Sequence, residues 1–167
     1  MAPRVLLVMG VSGSGKTTVG ALLAGKLGWP YAEADDFHPP ANVAKMAAGH
    51  PLTDQDRWPW LQAVRAWIDA RLARGDSGVV TCSALKRAYR DLLRAPGVTL
   101  VYLHGTHELI ARRMAARHGH FFKSALLDSQ FAALEEPTPD EGVVTVPIDG
   151  TPTDIADAIV AATRAAP

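Results

Sequence analysis

The sequence predicts an α/β fold in which a five-stranded parallel sheet carries helices on both faces. Three observations predict it. Strand-like and helix-like stretches alternate along all 167 residues, with no repeat and no long linker. The first strand-like stretch, Arg4 to Met9, is a continuous Val/Leu run of the kind buried on both faces of a parallel sheet. A glycine-rich loop then joins this run to a helix, Lys16 to Leu27, that Gly28 stops.

The remaining elements follow in the same alternation. Trp29 to Ala34 reads as a second strand, and Pro39 to Ala48 as a helix closed by Gly49. After Thr53, a plausible cap, Trp60, Leu61, Val64, Trp67, Ile68 and Leu72 recur at helical spacing, which predicts a long helix with one buried stripe and with Pro59 in its first turn. Gly78 to Cys82 is a third strand, Ala84 to Arg94 a basic helix, and Val98 to Leu103 a fourth strand. Thr106 opens a helix through about Arg117. Residues 118–139 hold a short helix but no strand, an excursion from the pattern, before a fifth strand at Val143 to Ile148 and a closing helix at Thr153 to Thr163. Right-handed crossovers between parallel strands complete the topology, and ligands in such sheets sit beyond the carboxyl ends of the strands.

Composition bounds the function. Hydrophobic residues at 48% and charged residues at 20% describe a globular chain rather than a disordered one. The length fits a single domain over residues 1–167. The longest apolar run near the start, Val5 to Met9 with Val11, falls far short of the roughly 18 residues of a membrane span. It also has no charged leader or cleavage site. One cysteine, Cys82, excludes an internal disulfide framework and a thiolate zinc site, so a cytoplasmic setting is expected. A net charge of zero argues against a generally basic nucleic-acid binder, yet the charge is uneven: residues 86–123 carry eight Lys/Arg and two acids, and residues 124–167 one Arg and eight acids. The basic stretch is either a solvated helix face or an anion site.

Gly10-Val11-Ser12-Gly13-Ser14-Gly15-Lys16-Thr17 decides between them. It is a full G-x-x-x-x-G-K-[ST] match placed between a strand and a helix, where backbone N–H groups and the helix N-terminus cradle phosphates. The chain is therefore expected to adopt a P-loop NTPase fold. The expected ATP-binding residues are Gly10, Ser12, Gly13, Ser14, Gly15, Lys16, Thr17 and Thr18, with Lys16 on the β and γ phosphates and the Thr17 hydroxyl on Mg2+. GTPase switch and guanine-reading motifs are absent, and the third strand ends without an acid, unlike motor-type ATPases. Small kinases of the nucleoside-monophosphate and shikimate type are closer. They keep an acid after the second strand and an arginine-bearing lid late in the chain, here at about 118–139.

Narrower blocks follow: Asp35-Asp36-Phe37-His38-Pro39 with Asn42 and Lys45-Met46, Pro51 to Arg57 with Pro59-Trp60-Leu61, and Cys82-Ser83-Ala84-Leu85-Lys86-Arg87 with Tyr89-Arg90-Asp91. Arg113 to Arg117, Gly119-His120-Phe121-Phe122-Lys123, Gln130-Phe131 and Leu134-Glu135 continue the pattern. Together they resemble the gluconate kinase (gluconokinase) family over nearly the whole chain. The resemblance implies transfer of the γ-phosphoryl of ATP to the 6-hydroxyl of D-gluconate, a Mg2+ requirement and a homodimer. Shikimate-kinase-like chemistry and a non-catalytic ATP-binding switch are the competing readings.

The residues supply each part such chemistry needs. Asp35 is the candidate to orient the acceptor hydroxyl, take its proton or hold a water on Mg2+; Asp36 is the alternative, and the pair also suits an N-cap and turn. A sugar acid calls for guanidinium plus short polar groups, and His38, Arg57, Ser83, Lys86, Arg90 and His120 are the proposed set, with Asp35. Arg57 alternatively forms a surface ion pair with Asp54 or Asp56. Lys86 and Arg90, at i, i+4 spacing, form either one anion clamp or a solvated stripe. Arg113 and Arg117, one turn apart and leading into the excursion, are expected to swing over the phosphates as the lid closes. His118 and His120 make too sparse a set for a metal site, and Cys82 reads as a buried strand end.

Overall fold

The structure, a computed structural model, describes residues 2–119 and 123–164. Its sheet has five parallel strands in the order β2-β3-β1-β4-β5: β1 Val5–Met9, β2 Tyr31–Glu33, β3 Gly78–Thr81, β4 Val98–His104 and β5 Val144–Pro147. The helices are α1 Lys16–Leu27, α2 Pro40–Ala47, α3 Asp54–Ala73, α4 Arg87–Leu93, α5 His107–His118, α6 Ser124–Ala133 and α7 Pro152–Arg164. No helix among the described residues is long and apolar enough to cross a membrane.

The continuous apolar run of β1 has its cause in its central place. Val5 pairs with Gly78 on one side and Val98 on the other, and none of the five β1 side chains has any exposure. Leu6 and Val8 pack with Val19 and Leu23 of α1 and with Ile155 and Ile159 of α7. Val5, Leu7 and Met9 point the other way, onto Leu61, Val64 and Ile68 of α3 and Leu93 of α4. Alternate side chains thus feed two cores, one on each face, and each fully buried Val, Leu or Ile contributes about 1.5–3 kcal/mol.

Two expectations change. Pro59 lies six residues into α3, not in its first turn, because the helix begins at Asp54 behind a reciprocal cap. Thr53 Oγ1 accepts from Asp56 N–H at 3.2 Å, and the Asp56 carboxylate accepts from Thr53 N–H at 2.8 Å. Pro59 is exposed, as is Gln55 one turn before it, so the break in the helical hydrogen-bond ladder falls on the outer face of the helix. The basic helix expected from Ala84 begins only at Arg87. Ala84 has φ 47°, a left-handed conformation that breaks a helical start at that point. The other elements lie within about two residues of their expected bounds, as terminal fraying allows.

Candidate active site

The phosphate loop leaves the end of β1 and enters α1 through Gly15, whose left-handed φ of 97° lets the chain turn its amides inward. Gly13, with φ 84°, has a second constraint: a Cβ there would sit 2.5 Å from Met114 Sδ of α5. Lys16 Nζ donates to the carbonyls of Gly10 at 2.9 Å and Val11 at 3.0 Å, so the loop is closed around its own cation. Burial pushes the Lys16 ammonium below its ordinary pKa, against the opposing pull of nearby Asp35 and Glu33. Ser14 Oγ is buried without a partner among the described residues.

Two cavities flank this loop. The first, about 650 Å3, lies beyond the ends of β2, β3 and β1, and Ser12, Gly13, Gly15, Lys16, Thr17 and Thr18 form one wall. Asp35, His38, Arg57, Ser83 and Lys86 line the same cavity, so the structure gathers most of the sequence-derived set into one volume. The second cavity, about 510 Å3, lies between the loop, α5 and the start of α7, with Met114, Pro152 and Ile155 as apolar walls and Arg113 at its side. Arg117 borders both, as do Gly13, Gly15 and Thr18.

Each wall of the first cavity has a local cause. Asp35 sits in a 3-10 turn, Ala34–Phe37, directly after β2, and lines the first cavity, whereas Asp36 lines neither cavity, although both are exposed. His38 stacks on Trp60 with centroids 4.2 Å apart and planes at 14°, and Trp60 Nε1 donates to Ala34 O at 2.6 Å. Burial lowers the His38 pKa, with Asp35 pulling the other way. Arg57 does not pair with Asp54 or Asp56. Its Nη1 donates to Leu52 O at 2.9 Å and approaches the Tyr89 hydroxyl at 3.4 Å, while Asp56 takes Lys45 at 2.6 Å and Asp54 takes Lys86 at 3.0 Å. Tyr89 also donates to Asp54, which lowers the Asp54 pKa, with Lys86 adding to the effect. Burial drives the Cys82 thiol up to about 12, so it stays protonated and inert.

Arg90 is the clear correction. It is wholly buried, forks onto Glu141 at 2.7 and 3.1 Å, and its Nη1 donates to Ala84 O at 3.0 Å and Leu85 O at 3.1 Å. No clamp with Arg90 exists, because Lys86 lies before the helix in extended conformation, with φ −100° and ψ 145°, and pairs with Asp54. The two residues share no helix face. His120 lies outside the described residues.

Several cavity-lining residues carry no site role in the sequence analysis: Glu33, Tyr89, Trp60 and Gln130. Glu33 stands two residues before Asp35 at the end of β2, and period-two alternation was the available signal. It accepts from the Tyr31 hydroxyl, whose pKa burial and Glu33 raise to about 12. Trp60 passed as core because its stripe is apolar; its ring closes the cavity floor under His38.

A sequence model described as shikimate kinase matches residues 12–136. Gluconokinase of Gluconobacter oxydans is 50% identical over 149 residues, which cover 87% of this chain and 83% of that one. The chain belongs to the gluconokinase family, built on a shikimate kinase domain. A crystal structure of a gluconokinase from Sinorhizobium meliloti superposes with a TM-score of 0.85 at 44% identity, covering 95% of this chain and 90% of that one. Shikimate kinase from Aquifex aeolicus, at 13% identity and a TM-score of 0.59 over 96% of each chain, shares the fold alone.

Proposed function

We propose that this chain transfers the γ-phosphoryl group of ATP to the 6-hydroxyl of D-gluconate, giving 6-phospho-D-gluconate and ADP. What carries the reading is one juxtaposition: the phosphate-loop residues Lys16 and Thr17 line the same cavity as Asp35, His38, Arg57, Ser83 and Lys86. The identity of 50% to a gluconokinase supports the choice of acceptor.

Phosphoryl transfer depends on positioning and charge stabilisation more than on covalent help from the protein. The acceptor oxygen forms its bond to phosphorus as the bond to the ADP oxygen breaks, and the hydroxyl proton passes to Asp35. Lys16, freed from the Gly10 and Val11 carbonyls, meets the phosphates together with the loop amides. The slot between Met114, Pro152 and Ile155 suits a flat apolar base. Arg57 and Lys86 face the substrate carboxylate, and His38 and Ser83 its hydroxyls.

Mg2+ fits beside the loop, where the Thr17 hydroxyl and the Glu33 and Asp35 carboxylates line one wall, a donor set suited to a hard cation that keeps several waters. Bound there, the cation would supply positive charge beside the nucleotide's phosphates. Residues 118–139 serve as the lid that brings Arg113 and Arg117 to the phosphates. A cytoplasmic homodimer completes the proposal, in keeping with the family resemblance.

The test is ADP release over a panel of D-gluconate, shikimate, nucleoside monophosphates and neutral sugars. Gluconate should give the highest kcat/KM. Preference for shikimate would move the chain to the rival kinase class, and ATP binding without turnover on any acceptor would leave a nucleotide-binding switch.

A further inference from the structure

Among the described residues, the hydrogen bonds that join α6 to the phosphate loop meet at one side chain. Ser12 N–H donates to Gln130 Oε1 at 3.2 Å, and the Ser12 hydroxyl donates to the same oxygen at 3.3 Å. Both partners are donors, so the atom facing Ser12 is the carboxamide oxygen and the NH2 turns away from it. That NH2 has no protein acceptor among the described residues, and Gln130 lines the cavity that Lys16, Thr17 and Asp35 also line. The side chain is not loosely placed. Leu127, one turn earlier, is buried in the core, Phe131 packs against that core and the His107 ring, and Asp128 contacts His107 Nε2 at 2.6 Å.

We propose that Gln130 is a γ-phosphoryl-binding residue: its carboxamide oxygen holds Ser12 of the phosphate loop while its NH2 donates to an oxygen of the terminal phosphoryl group of the nucleotide. This rests on the kinase reading of the cavity but not on the identity of the acceptor. The chemistry explains why an amide stands here. To hold Ser12 alone, a carboxylate would accept the same two donors more strongly. Beside a terminal phosphoryl group, a carboxylate would place negative charge against negative charge, whereas an amide gives an acceptor on one side and a donor on the other.

The experiment compares the wild type with Gln130→Glu and Gln130→Met. Calorimetry with Mg2+ present measures affinity for ADP and for an ATP analogue with a non-transferable γ-phosphate, and steady-state assays with gluconate run alongside. Gln130→Glu should weaken the analogue by about tenfold or more, the scale of a lost hydrogen bond to a charged group, while ADP affinity changes less than about threefold. Its kcat should fall as well. An unchanged ratio of analogue to ADP affinity in Gln130→Glu would reduce the residue to a tie on Ser12 and overturn the proposal. If Gln130→Glu fails to fold, Gln130→Met is read the same way, and equal losses for both nucleotides overturn the proposal. A wild type inert on gluconate, with the selective analogue loss intact in the variant, would sink the gluconate reading and leave Gln130 in its role.

Discussion

Arg90 and Glu141 are joined by a two-pronged ion pair, at 2.7 and 3.1 Å, in which neither side chain has any exposure. The pair ties the turn that borders the first cavity to the stretch that follows α6. On one side Arg90 Nη1 holds the Ala84 and Leu85 carbonyls, which bracket the left-handed turn leading from Ser83 to Lys86. On the other, Glu141 accepts from Thr138 N–H at 2.9 Å and from Arg94 Nη2 at 3.0 Å, fixing the chain that follows α6. Arg90 is thus a brace for the substrate-side turn, not a substrate ligand.

Arg90→Met should therefore destabilise the fold by about 3–5 kcal/mol, since Glu141 is left buried without its two-pronged partner. Urea unfolding reads the loss. Replacing both members, Arg90→Met with Glu141→Leu, should recover part of it, because no uncompensated charge remains. A single variant as stable as the wild type would contradict the brace.

Acid should weaken the protein in a defined window. The Arg90 guanidinium holds the Glu141 carboxyl at about 2, against an ordinary 4.5, and Lys45 and Arg87 hold Asp56 and Asp140 at about 2, against 3.8. The folded state binds these protons less readily than the unfolded chain. Their stabilisation is complete above about pH 4.5 and is lost as pH falls toward 2. Melting temperature should be flat in this respect from pH 7 to 5 and drop steeply below 4, with a shallower drop in Glu141→Gln.

Lys16→Ala should keep the fold and lower turnover by roughly 100-fold or more, as expected on losing a charge-stabilising donor at the phosphates. Circular dichroism and ADP release check the two halves. Near-normal turnover in a folded variant would remove Lys16 from the chemistry.

Asp35→Asn should lower kcat far more than it changes KM for ATP, while Asp36→Asn should leave both near the wild type. The reason is position: Asp35 lines the cavity with Lys16 and Thr17, and Asp36 lines neither cavity. The opposite order would reassign the proton acceptor.

Arg117→Met should lower kcat with less than about a threefold change in gluconate dissociation constant, since Met keeps much of the apolar stem and removes the fork. Arg117 borders both cavities, where a guanidinium can reach the transferring group. Hydrogen exchange over 118–139 should slow in the ternary complex with ATP analogue and gluconate. Equal exchange in the free and ternary states, with kcat unchanged, would leave the segment an ordinary insertion.

What the sequence by itself determined is what depends on local patterning. The β1 run, the helix stops and the phosphate-loop motif are written in neighbouring residues, because burial on both faces, left-handed glycines and converging amides each need particular residues within a few positions. Asp35, which lines the cavity, was legible from its place after the second strand, whose carboxyl end must face the ligand, and His38 and Ser83 from short sequence blocks that resemble the family. What only the tertiary structure decided is the fate of side chains that look alike along the chain. Lys86 and Arg90 are both basic and four residues apart, yet one reaches the cavity and the other is buried, because Glu141, 51 residues beyond Arg90 along the chain, supplies a carboxylate that the core could not otherwise leave unpaired. Gln130 and Glu33 gained their places in the cavity in the same way, from contacts with Ser12 and Tyr31. An amide 118 positions from its partner leaves no periodic trace, since only the packing of α6 on the sheet brings the two together.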